Sequence, residues 1–95
     1  MLRDIVEVAP RGGYTLHLRF EDGVEGDVDV SAVVRFSGVF APLKDPLEFA
    51  KVRVDPETGT ICWPNGADLD PVVLYARVTG ATIEALMPKA AQVVR

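Results

Sequence analysis

The chain's 95 residues, 48% hydrophobic and 25% charged, make one small domain with a single core and exclude both a two-domain protein and a disordered chain. Fourteen acids against ten bases leave a net charge of -4, and no Lys/Arg cluster stands out, so the electrostatic footprint of a nucleic-acid binder is missing. One cysteine cannot form an internal disulfide, the opening MLRDIVEVAP carries acids where a signal peptide needs an unbroken apolar core, and no apolar run reaches the roughly 20 residues of a bilayer span. The expected home is a bacterial-type cytosol.

DIVEVAP is β-branched and ends at Pro10 and the Gly12-Gly13 turn, which predicts a first strand. YTLHLRF then alternates strictly: Tyr14, Leu16, Leu18 and Phe20 share one face, and Thr15, His17 and Arg19 the other. After the EDG loop, VEGDVDV alternates again, with Glu25, Asp27 and Asp29 outward. These segments predict a three-strand meander. Ser31 is placed to cap a short helix over SAVVRF that stops at Gly38. A second helical turn is expected at Asp45-Pro46, where Asp caps, Pro takes the first helical position, and Leu47 and Phe49 go to the core.

KVRVD, the PETG turn and TICW predict a second hairpin with Ile61 and Trp63 inward. Asp70-Pro71 repeats the cap-plus-proline signature and starts a two-turn helix that stops at Gly80. The whole is an α+β domain over residues 1–80: an antiparallel sheet of about five strands with short helices on one face. The tail 81–95 is apolar enough to dock on that domain or to mediate self-association.

The stretch ICWPNGADLDP holds the only Cys and the only Trp. Pro64 cannot donate to a sheet ladder, so it ends the strand, and Asn65-Gly66 tolerate the left-handed angles of a tight turn. Asp70 is accounted for as a cap, which leaves Asp68 without a structural task. A buried indole is commonly kept for the area it hides, so Trp63 is expected in the core.

GTICWPNGADLDPVVLY, with FEDGVEGDVDV and FAPLKDPLEFAKVRVD, resembles the small bacterial proteins grouped as domain of unknown function 2442, over roughly residues 3–80. The resemblance implies an α+β domain of this layout with no assigned activity and no catalytic or metal residues to carry over. Some relatives append a helix-turn-helix, and others are encoded beside a second small protein in an arrangement that looks like a toxin-antitoxin pair. The segment after Gly80 is too short for a DNA-binding half, so no direct nucleic-acid binding is expected here.

Among groups that could do chemistry, His17 stands on the polar strand face with no legible Ser-His-Asp or Cys-His order, and Cys62 alternates away from Ile61 and Trp63. The row Glu25, Asp27, Asp29, with Glu21 and Asp22 nearby, raises a metal question. Calcium needs six to eight converging oxygens, whereas alternate strand carboxylates lie about 6.5–7 Å apart in a row. No metal, cofactor or catalytic residue is therefore expected. Arg19 on the neighbouring strand is a candidate to neutralise the row. The favoured reading is a non-enzymatic interaction module, antitoxin-like, that meets a small basic protein through Glu25, Asp27, Asp29, Asn65, Gly66, Asp68 and Leu69. The alternative is a small-molecule or metal-dependent enzyme centred on the Trp63–Asp70 turn, drawing on Cys62, Asp68 and His17.

Overall fold

A computed structural model describes residues 4–80. Strand β1 (Ile5–Gly12), β2 (Thr15–Phe20) and β3 (Glu25–Asp29) form an antiparallel three-stranded sheet in sequence order. The register pairs Val8 with Leu18, Leu16 with Val28, and His17 with both Ala9 and Asp27, so the alternation of β2 is carried across the sheet. Its inner face, with Leu16, Leu18 and Phe20 wholly buried, is the floor of the core.

Strands β4 (Arg53–Asp55) and β5 (Thr60–Cys62) make a separate two-stranded sheet, so the expected continuous five-strand sheet divides in two. The amide of Ile5 donates to the carbonyl of Gly59 (2.8 Å), and this bond ties the sheets at the base of β1. Beyond it β1 does not continue into β4: register shifts fall between Ile5 and Glu7 and between Pro10 and Gly12, and Pro10 has no N–H to offer.

Three local expectations change in the tertiary setting. SAVVRF forms only a 3-10 turn at Val30–Ala32, and its cap is Asp29, whose carboxylate accepts from both the amide and the hydroxyl of Ser31. Gly38, at φ 57, opens a second 3-10 helix, Gly38–Lys44, instead of closing the first. Helix α1 (Pro46–Phe49) is capped by Asp45 as expected, but Leu47 is 76% exposed while Phe49 is buried. Residues two apart on one helical turn do not share a face, so only one of the pair can point inward.

Helix α2 (Pro71–Thr79) starts at the Asp70 cap and stops at Gly80, whose φ of 77 is the left-handed angle of a helix end. It packs on β3 at Gly26, where a Cβ would lie 2.9 Å from Val78 Cγ1; glycine is what permits the close approach. The core joins Ile5, Leu43, Phe49, Ile61, Trp63, Ala67, Leu69 and Leu74 to the sheet floor. Among the described residues no helix is long and apolar enough to cross a membrane. The predicted role of the tail concerns residues outside those described.

Candidate functional site

The WPNGADLDP stretch is a structural clasp. Trp63 is 1% exposed, its ring lies 5.7 Å from that of Phe49, and its Nε1 donates to the Phe49 carbonyl at 2.8 Å, which pins the end of α1. The turn closes on itself through Gly66 N to Trp63 O (3.0 Å) and Trp63 N to Ala67 O (2.9 Å). Asn65 faces two ways: its Nδ2 donates to the Val39 carbonyl (2.8 Å), holding the second 3-10 helix, and its Oδ1 accepts from Ala67 N (3.1 Å). Gly66 supplies the positive φ of 92. Cys62 and Asp68 then form an isolated bridge, Thr60 donates its hydroxyl to Leu69 O, and Asp70 accepts from Val72 N (2.8 Å).

Of the residues expected to form a contact surface there, Leu69 is buried in the core and offers none. Leu69 alternates with exposed Asp68 and Asp70, and that alternation carries its side chain inward. Asn65 and Gly66 are exposed but engaged in the turn, and the Asp68 carboxylate is exposed with no hydrogen bond to the described residues. The Trp63 indole is enclosed and offers no surface to a ligand. Neither the cleft of about 240 Å³ beside Asp4 and Gly59 nor the larger groove of about 590 Å³ beside β1 is lined by Trp63, Cys62 or Asp68.

The outer face of the three-stranded sheet concentrates the charge. His17 sits between two carboxylates, with Nδ1 2.7 Å from Asp27 Oδ1 and Nε2 2.8 Å from Glu25 Oε1. A neutral imidazole can donate from only one nitrogen, so occupying both sites favours the protonated ring. The hydrogen bond to Glu25, then that to Asp27, raises the His17 pKa above its ordinary 6.5. The expected partner of the acidic row was Arg19. Instead Arg19 turns to β1 and grips Glu7 through two bonds, Nη2 to Oε2 at 2.8 Å and Nε to Oε1 at 3.0 Å, which lowers the Glu7 pKa. Asp29, the third member of the row, is the cap at Ser31. The antiparallel register was the available clue, since the short EDG loop sets Asp27 opposite His17. Among the described residues no group of three or more His, Cys, Asp or Glu is arranged to hold a metal.

These features define a small α+β protein of antiparallel sheets and short helices, with the ion pairs of His17 and Arg19 on one face of its three-stranded sheet. The chain belongs to the family described as Protein of unknown function (DUF2442), whose model matches residues 5–80. No curated protein and no solved structure matches it.

Proposed function

We propose that this protein is a non-enzymatic accessory module, antitoxin-like, that docks a small basic protein on the outer face of its three-stranded sheet. One observation carries the reading: Glu25 and Asp27 stand 53% and 57% exposed, yet His17 holds each of them by one oxygen. Their second oxygens accept nothing from the described residues, so a Lys or Arg of a partner meets carboxylates already oriented. The ordering entropy of these two side chains is then largely met before encounter. Asp29 and Asn65 contribute shape more than charge, because their polar groups are engaged internally, whereas the exposed Asp68 carboxylate adds charge.

The test is a pull-down from the native host with the full chain, followed by association kinetics on the captured protein. Glu25 and Asp27 are reversed to Lys together, while Asp29 is left in place because it caps the turn at Val30–Ala32. Wild type should retain a stoichiometric basic protein, with an association rate that falls as salt rises, and the double variant should associate more slowly while folding normally. Equal rates for the two, with no salt dependence, would place the contact elsewhere.

A further inference from the structure

The groove of about 590 Å³ lies where the two sheets part, with Val6, Val8, Ala9 and Arg11 of β1 on one wall and Val52, Arg53 and Val54 on the other. Its size falls within the roughly 300–1,000 Å³ of ordinary ligand sites. Two properties restrict what it fits. The first is backbone geometry: among the described residues β1 pairs only with β2 and β4 only with β5, so each of the two strands that line the groove has one edge without a strand partner there. An edge strand directs alternate N–H and C=O groups away from its partner, ready for an added strand. The register shifts confine regular pairing with β2 to Glu7–Pro10, about 13 Å of strand, and Pro10 has no N–H to offer. That is long enough for a short peptide and too interrupted for continuous sheet pairing with a second copy.

The second property is charge. Glu7 is held by Arg19 and Glu25 by His17, whereas Arg11 and Arg53 have no acid partner among the described residues. The uncompensated charge of the groove is therefore positive although the chain as a whole is negative. Val6, 41% exposed, and Val8, Val52 and Val54 add apolar wall to the same lining.

We infer that this groove captures a short extended segment of a partner protein, alternating apolar and acidic residues, as an added strand on the edge of β1, with Arg11 and Arg53 receiving its carboxylates. Main-chain bonds to Glu7–Pro10 supply affinity and the arginine forks supply selectivity. The groove borders the face proposed to dock a basic protein, since His17 and Glu25 also line it, but its charge preference is the opposite one, and it stands without that reading.

The probe is a blocked synthetic peptide of alternating Val and Asp, titrated against the full chain by fluorescence anisotropy. Its comparators are the same peptide with Lys for Asp and a version with Pro at its centre, and hydrogen exchange is followed at Glu7–Ala9. The acidic peptide should saturate and slow exchange there, and both comparators should bind at least about tenfold more weakly. Arg11→Glu and Arg53→Glu should each weaken it about tenfold with unchanged circular dichroism. Equal binding of the Asp and Lys peptides, indifference to the central Pro, or indifference to both arginine variants overturns the proposal. So does self-association of the free chain, seen by sedimentation, that already protects Glu7–Ala9.

Discussion

Replacing Trp63 with Ala removes the side chain that holds the clasp closed. A buried aromatic hides roughly 150–250 Å², and at ~25 cal/mol per Å² this is worth about 4–6 kcal/mol. The extended-chain reference overstates burial, which brings the figure to about 3–5 kcal/mol, the usual range for aromatic truncation in a core. The position warrants this range because the ring is 1% exposed and packs on Phe49. Trp63→Phe separates the contributions. It keeps most of the apolar contact but removes the donor, leaving the Phe49 carbonyl only the long 3.3 Å bond from Val52, so about 1–2 kcal/mol is expected. Urea titration followed by far-ultraviolet circular dichroism is the assay, since both variants lose the only tryptophan. A loss below about 1.5 kcal/mol for the Ala variant, or equal losses for the two, would refute burial and packing as the reason for Trp63.

Asp70→Ala should destabilise by about 1 kcal/mol through loss of the bond to Val72 N, while Asp68→Ala should stay within about 0.5 kcal/mol and act on partner binding instead; reversed denaturant midpoints would reject this division. Gly26→Ala should destabilise by about 1–3 kcal/mol by driving a methyl against Val78, and Val78→Ala in the same chain should recover part of it if that contact is the cause. His17 should titrate above 6.5 by nuclear magnetic resonance. Because its folded pKa is raised, its contribution to stability is fully present below 6.5 and is lost as pH rises through the folded value; His17→Gln should remove that slope, and a titration at or below 6.5 would disprove the paired ring.

Much of the architecture is written locally. The alternation of Leu16, Leu18 and Phe20 specifies a strand and its inward face because side chains on a strand repeat every two residues, and all three are buried. Asp before Pro at positions 45–46 and 70–71 starts both α-helices, since the carboxylate satisfies a free amide and the proline lacks an N–H the first turn could not use. Gly80 ends α2 for an equally local reason, the left-handed angle of the cap.

Where several segments compete for one surface or one polar partner, tertiary structure decided. Nothing in PLEF says which apolar side chain wins the core, and packing against Trp63 and Tyr14 selects Phe49 and leaves Leu47 outside. Arg19 faces acids on both neighbouring strands, and the geometry of β1 gives it to Glu7, which leaves His17 to hold Glu25 and Asp27. The clasp partners of Trp63 and Asn65 lie 14 and 26 residues away in the chain, so a run that reads as turn chemistry closes the fold through contacts no local pattern encodes. The division of the five strands into two sheets has the same origin: strand propensity is a property of each segment, but continuity depends on whether two edges meet in register, and the shifts and proline of β1 prevent it.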